Sequence, residues 1–236
     1  LSCMMKDVRI IIIKIADRLH NMRTIDAKSR EKKIENAIET MQVHVPLAYI
    51  FGAYRIKSEL EDICFEILMP EKYSEYSDIL EKFREDSQAC VDEMLYTINS
   101  ILNKNFNHYE LKMRPKNVYG VYKGLKKYQR LYDIHDLLAL KIMVDEEVEC
   151  YRTLGLVHSA YKPVNDKFKD YICNPKTNMY QGLHTTVFGP DQRLIQTQIR
   201  TFDMDKVASF GITTYWDICK GEARQKMQDD LSKKFQ

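Results

Sequence analysis

With 236 residues, 44% of them hydrophobic and 30% charged, the chain has the make-up of a globular protein of one large or two small domains. A formal net charge of +2 gives bulk electrostatics no hold on DNA or on a membrane surface. The aliphatic run Ile10 to Ile13 is far too short to span a bilayer, no signal-peptide pattern precedes it, and six cysteines (3, 64, 90, 150, 173 and 219) are scattered without a C-x-x-C pair or zinc spacing. The expected setting is therefore cytoplasmic, with reduced thiols. The first residue is Leu1 rather than Met, as expected of a fragment. Charge is unevenly spread: residues 71 to 93 hold eight acidic and three basic side chains, whereas residues 110 to 130 hold seven basic and one acidic, so an anion-facing surface is expected in the later part.

From Val8 to Met22 the apolar positions Val8, Ile12, Ile15, Leu19 and Met22 recur at helical spacing and predict one buried stripe. On the opposite side lie Ile10, Ile13, Asp17 and Asn21, so this helix needs cover on both sides; left bare, it is expected to self-associate or to order poorly. Ser29 is placed to cap a second helix with the stripe Ile34, Ala37, Ile38, Met41 and Val45. Residues 46 to 68 continue helical and stop at Pro70, and 72 to 103 form a long helix or a pair, with Tyr76, Ile79, Leu80 and Phe83 apolar.

After 104 to 109 the pattern changes. ELKMR at 110 to 114 reads as a strand, 117 to 130 as a helix with the stripe Val118, Val121, Tyr122 and Leu125, and LLALKIMV at 137 to 144 as a strand apolar on both faces. Such a strand is central and expected to have helices on each side. A helix at 146 to 161, strands at 183 to 188 and 193 to 200 joined by the turn GPDQ, and a last helix at about 203 to 219 with the only tryptophan, Trp216, complete the plan. The fold class is α+β: a helical bundle followed by a mixed sheet flanked by helices.

The richest stretch is 167 to 188, KFKDYICNPKTNMYQGLHTTVF. Lys167, Lys169, Asp170, Lys176, Asn178, Gln181 and His184 are interleaved with Tyr171 and Tyr180 before an apolar strand. Ammonium groups beside tyrosine rings suit a nucleotide, cations for its phosphates and a ring face for its base; a solvated lysine-rich loop is the other reading of the same composition. Arg114, Lys116, Lys123, Lys127 and Arg130 likewise fit either a polyphosphate or a solvated helix face.

The order of the residues goes further. FKDYI followed by NPK-x-N-x-YQ-x-LHTTV-x-GP resembles the synthetase domain of long RelA/SpoT homologues, the stringent-response enzymes that make and often destroy (p)ppGpp. RPKNVYGVYK at 114, IHDLLALK at 134, LGLVHSAYKPV at 154 and QIRT at 198 agree in order. KIADRLHNMRT at 14 to 24 resembles the end of that family's hydrolase domain. The resemblance implies a hydrolase remnant over 1 to 45, a helical connector over 46 to 105 and a (p)ppGpp synthetase domain over 106 to 236, and makes the mixed sheet a nucleotidyltransferase-like one. In the connector, Ile50-Phe51 stands where the family usually has Arg-Leu.

By resemblance, Asp136 holds Mg²⁺ while the 3′-hydroxyl of GDP or GTP attacks the β-phosphorus of ATP; an N-cap or strand-end aspartate is the plainer account of that residue. Arg114, Lys116, Lys123 and Lys141 would hold ATP. Tyr180 would stack on guanine, with Lys176, Asn178 and His184 around ribose and phosphate, unless His184 is simply packed; Lys167, Lys169, Asp170 and Gln181 complete that set. KFKD at 167 to 170 matches the basic variant of a family charge motif, with Lys167 for the usual arginine. Asp17 and Asn21 correspond to a hydrolase metal ligand and a pocket residue, or are ordinary exposed helix groups. The family's other metal ligands lie upstream of this sequence, and the one His-Asp pair, His135-Asp136, belongs to the synthetase block, so no hydrolase activity is expected. The bare side of the first helix would meet another copy or the missing N-terminal half.

The departures are specific. The family's catalytic glutamate is Gln196 here, an amide that carries no charge for a metal and takes no proton from the attacking hydroxyl. Lys141 replaces an ATP-contacting arginine, Asp205 and Ser209 replace a histidine and a glutamate, and TTYW at 213 replaces AAHW. A synthetase impaired at Gln196 and a weakly catalytic guanine-nucleotide-binding module regulating a hydrolase both fit. An RNA-binding scaffold is disfavoured by the near-neutral charge.

Overall fold

A computed structural model describes residues 8 to 211 except 129 and 135. His135, Trp216, the TTYW segment, Cys3, Cys219 and any helix past 211 lie outside the described residues. Packing divides the chain into two compact units, one of residues up to Leu68 with those from Lys206 onward, the other Met69 to Asp205. The connector over 46 to 105 is thus shared between units, cut where one helix ends at Leu68 and the next begins at Pro70.

In the first unit α1 (Val8–Arg23), α2 (Arg30–Glu39), α3 (Val45–Ile50) and α4 (Tyr54–Leu68) gather around Leu19, Met22, Ile25, Ala37, Val45, Leu60 and Cys64. The buried line of α1 is Ile11, Ile15, Leu19 and Met22; Ile12 is half-buried, one position off the expected stripe. Ile10 and Ile13 are 42% and 66% exposed, as their place on the far side predicts. Ser29 occupies the N-cap of α2 with extended backbone but makes no side-chain capping bond. Ile34 and Ile38 are exposed, against expectation. Ala37 and Val45 of the expected stripe are buried and Met41 packs against the same core, with Thr40 and His44 buried beside them in a π-helical turn, Thr40–His44.

In the second unit α5 (Pro70–Asn103) is one uninterrupted helix of 34 residues, not a pair. Pro70 sits in its first turn, where a missing N–H costs nothing, so it opens α5 as well as closing α4. Then come β1 (Glu110–Pro115), α6 (Val118–Tyr128), β2 (Leu138–Val144), α7 (Glu147–Ala160), β3 (Lys169–Asp170), β4 (Leu183–Phe188), β5 (Leu194–Thr201) and α8 (Phe202–Phe210), whose residues from Lys206 belong to the first unit. Glu146 and Glu149 make a capping box that starts α7. The sheet order is β1-β2-β5-β4-β3, with β2 and β5 parallel and the other neighbours antiparallel. β2 is an interior strand, as its apolar run requires, but it stands second beside the edge strand β1, and β5 holds the middle of the sheet. The two-residue β3, inside the lysine-rich stretch, was not legible as a strand.

The sheet has two unlike faces. Leu140, Ile142, Val144, Leu183, Val187, Ile195 and Ile199 pack with Cys90, Met94, Ile98 and Leu102 of α5 and Cys150 and Val157 of α7. α5 and α7 pack on this one face; on the other, buried Ala139 and Met143 of β2 alternate with polar side chains, and Asp205 of α8 reaches in among them. Among the described residues no helix is long and apolar enough to cross a membrane. Because Ile199 is fully buried in the sheet core, Ile199→Ala should lower unfolding free energy in urea by about 2–5 kcal/mol. A loss below about 1 kcal/mol would mean that the apolar face does not hold this unit together.

Candidate functional site

Period-2 alternation builds the polar face. Gln196, Gln198 and Arg200 are every second residue of β5, and their register partners on β2 are Ala139, Lys141 and Met143. Antiparallel pairing adds Thr186 and His184 from β4, Lys169 from β3, and Arg114 and Lys112 from β1, in line with the same residues. Five strands thus bring Arg114, Lys141, Lys169, His184, Gln196 and Arg200 onto one side of the sheet.

Arg200 is 4% exposed and is the most deeply placed of these charges. Its Nη2 donates to Gln198 Oε1 at 2.9 Å, and Gln198 Nε2 donates to Gln196 Oε1 at 2.7 Å. Asp205 stands at the other end: Lys141 Nζ donates to both its oxygens at 2.9 and 3.2 Å, and Arg200 Nε lies 3.2 Å from Oδ1, close enough for attraction but off the line of an N–H···O bond. Two departures from the family pattern, Lys141 and Asp205, are therefore partners. Arg114 keeps surface open to solvent, yet the protein crowded round its guanidinium and the like charge of Arg200 lower its pKa from the usual arginine value.

At the mouth of β2, Lys116 and Asp136 form an ion pair, Nζ to Oδ2, with the Asp136 side chain 38% exposed. Lys116 is not part of the following helix; it lies between β1 and α6. Lys123 is on α6 with its Nζ 5.3 Å from the centre of the Tyr119 ring.

Around β3 and β4 the aromatic groups meet one another. The Tyr180 ring is 7% exposed and lies edge-on to Tyr171 and His184. Lys176 Nζ sits 4.5 Å from the Tyr171 ring centre and 4.9 Å from that of Tyr180, and the Arg200 guanidinium is 5.5 Å from the Tyr180 ring. A base stacking on Tyr180 would have to displace a cation, so the expected open stacking platform is, in this conformation, a filled cage. Gly182, at φ +149°, gives the chain the bend between Tyr180 and His184; a Cβ there would sit 3.5 Å from that of Arg200 and 3.6 Å from the Tyr180 hydroxyl.

Other expected site residues serve the fold. Asp170 Oδ1 accepts from the backbone N–H groups of Ile172 and Cys173 and its Oδ2 from the Tyr151 hydroxyl, so this carboxylate is spent on a turn and is not turned to the polar face. Asn178 Oδ1 accepts from the Tyr180 N–H, and Gln181 Nε2 donates to the Ile172 carbonyl at 3.4 Å. Lys167 is exposed, outside the strands. In the first unit Asn21 donates to Asp17 at 3.1 Å. Asp17 lines a cavity of about 300 Å³ with Lys14, Arg18, Glu39 and His44 among its walls. Gln198 and Arg200 were absent from the expected site residues; the alternation in LIQTQIRT was the signal that could have found them.

The family models match this chain twice: one described as a region found in RelA/SpoT proteins, over residues 113–222, and an HD domain, over residues 1–53. The chain is 42% identical over 215 residues to a probable guanosine-3′,5′-bis(diphosphate) 3′-pyrophosphohydrolase of Synechocystis, covering 90% of this chain and 28% of that protein. It is 40% identical over 228 residues to a GTP pyrophosphokinase of Myxococcus xanthus (96% and 30%) and 38% identical over 217 residues to the bifunctional (p)ppGpp synthase/hydrolase SpoT of Escherichia coli K12 (92% and 31%). The chain thus spans about three tenths of the length of these relatives.

His184 gives the site a pH signature. Burial first, then the cations Arg200, Lys176, Lys169 and Arg114, push its pKa down to about 3. The neutral ring is within 2.5 Å of the Tyr180 hydroxyl at Nε2, a position from which it accepts that proton. An unfolded histidine protonates near 6.5, so below that pH the unfolded chain binds more protons than the folded one and stability falls towards acid. The urea midpoint should decline as the pH drops below about 6.5, and His184→Gln should decline less. Equal declines in both proteins would remove His184 as the cause.

Proposed function

The chain belongs to the RelA/SpoT family, and on that premise we propose that its polar sheet face binds ATP and a guanine nucleotide and transfers pyrophosphate, slowly, from ATP to the 3′-hydroxyl of GDP or GTP. The observation that carries this reading is the gathering of cations from separate strands onto one face, beside a carboxylate at the strand mouth. Phosphates are held best by charge-assisted hydrogen bonds, and Arg114 offers the planar fork that suits them. Lys116, now on Asp136, would move to a phosphate oxygen when ATP enters. Lys141 is committed to Asp205 and would serve ATP only by sharing that contact. Guanine would enter the Tyr171–Tyr180 cage as Lys176 swings out to the nucleotide's phosphates.

In the transfer, the 3′-oxygen forms a bond to the β-phosphorus of ATP, the bond to the α-phosphoryl oxygen breaks, and AMP leaves with the electron pair. The hydroxyl proton goes to solvent, since the amide of Gln196 takes none. Among the described residues no three His, Cys, Asp or Glu side chains converge on a point. Asp136 alone still fits Mg²⁺, which is commonly held by one or two carboxylates with substrate phosphates supplying most of the rest. When bound there, the ion would neutralise phosphate charge. The assignment of 1 to 45, 46 to 105 and 106 to 236 to hydrolase remnant, connector and synthetase domain belongs to the same proposal, as do a cytoplasmic setting and the absence of hydrolase activity.

Gln196 favours one second reading, a guanine-nucleotide-binding module with little chemistry left, acting on a hydrolase. The test is an assay with ATP, Mg²⁺ and GDP or GTP, products separated by anion exchange. Gln196→Glu should raise the rate by about 10²- to 10⁴-fold and Asp136→Asn should abolish it. Nucleotide bound without product would select the second reading. Equal rates from the unmodified chain and Gln196→Glu would refute the role given to Gln196.

A further inference from the structure

The polar side chains of β5 have a direction. Arginine has five N–H donors and no acceptor, so the end of Gln198 that meets Arg200 Nη2 at 2.9 Å must be its amide oxygen. Gln198 therefore turns its NH₂ the other way, where it donates to Gln196 Oε1 at 2.7 Å. The root of this chain is fixed, because Arg200 is buried and held beside Asp205, which Lys141 grips in turn. What Gln196 has left to offer a ligand is its own NH₂, a donor. A glutamate at the same place would accept from Gln198 with one oxygen and present the other as a second acceptor. The substitution thus reverses the polarity of the position that, in the proposed reaction, faces the 3′-oxygen of the guanine nucleotide.

Resting on the proposed reading of this face as a guanine-nucleotide site, we infer that Gln196 selects a nucleotide that already carries a 3′-diphosphate over one with a free 3′-hydroxyl. A diphosphate has only acceptor oxygens at neutral pH and meets the amide hydrogens directly. A 3′-hydroxyl oxygen also accepts from the amide, but as a neutral acceptor it makes the weaker bond. The surrounding charge agrees: among the described residues Arg114, Lys116, Lys141, Lys169, Lys176 and Arg200 meet the carboxylates Asp136 and Asp205, while Glu110, on the same face at the far end of β1, is paired with Lys112. Charge alone would favour any nucleotide with more phosphates, whereas the oriented amide asks for the phosphates at the 3′ position.

The discriminating pair is guanosine 3′,5′-bis(diphosphate) and guanosine 5′-tetraphosphate, equal in phosphate number; the first has one terminal phosphate more and so a higher charge, which makes the part of the preference lost in the variants the quantity that counts. Equilibrium dialysis of the whole chain in EDTA, where no metal bridges ligand to protein, should give tighter binding of the 3′,5′-bis(diphosphate). A hydrogen bond to a charged group is typically worth a factor of roughly 10 to 100 in affinity, and Gln196→Glu should remove that preference. Gln198→Met, which frees Gln196 to turn over, should remove part of it, and decides the matter if Gln196→Glu does not fold. Equal binding of the two isomers by the unmodified chain, or a ratio unchanged in both variants, overturns the inference while leaving a guanine site in place. No binding of either isomer, nor of GDP, overturns the reading of the face, and the inference with it.

Discussion

The guanidinium of Arg200 carries its charge to a place almost without water, and a buried cation must be surrounded by groups that answer it. Asp205 answers with charge and Gln198 with an amide oxygen, and Tyr180 offers a ring face. Each of these fixes a further group: Asp205 holds Lys141, Gln198 orients Gln196, and Tyr180 is tied to His184 and overlain by Lys176. Removing the guanidinium would leave a carboxylate with one cation fewer and an amide wire with no defined direction. The geometry of the polar face follows from that one buried charge more than from any other single group.

The same network explains why departures from the family pattern do not read as decay. Lys141 and Asp205 look like two separate losses in the sequence, yet their side chains meet at 2.9 Å. A lysine cannot make the bidentate fork of an arginine, but as a point charge it satisfies an aspartate well. Gln196 likewise is an ordered group with a defined donor direction.

Much of this was legible in the sequence wherever a period was long and unbroken. The interior place of β2, the antiparallel pair β4 and β5, the helices α1, α5, α6 and α7 and the exposed side of α1 all follow from spacing. What failed did so for identifiable reasons. The π turn at Thr40–His44 is a local change of helix type that no 3.6-residue template detects, and in α2 only Ala37 of Ile34, Ala37 and Ile38 faces the core, so three apolar positions near one spacing did not share one buried face. β3 is two residues long and has no periodicity of its own. Asp170 looked like a ligand group because composition cannot tell a carboxylate facing a nucleotide from one closing a turn. Tyr180 was legible as an aromatic beside cations, but which cations cover its ring depends on contacts with Lys176 and Arg200 that only the folded chain makes. Arg200 and Gln198 could have been found, since alternation places them beside Gln196, but their motif was read as a string and not as a strand.

The most direct test is nuclear magnetic resonance of the glutamine and asparagine side-chain amides in the whole chain, labelled with ¹⁵N and titrated with guanosine 3′,5′-bis(diphosphate) in EDTA. The amide protons of Gln196 should shift downfield as they bond to phosphate oxygen, while those of Asn36, which donates to the Lys32 carbonyl in the other unit, stay where they are. A saturated ligand with the Gln196 amide unmoved would contradict the account, because the donor it places at the centre of the face would then touch nothing.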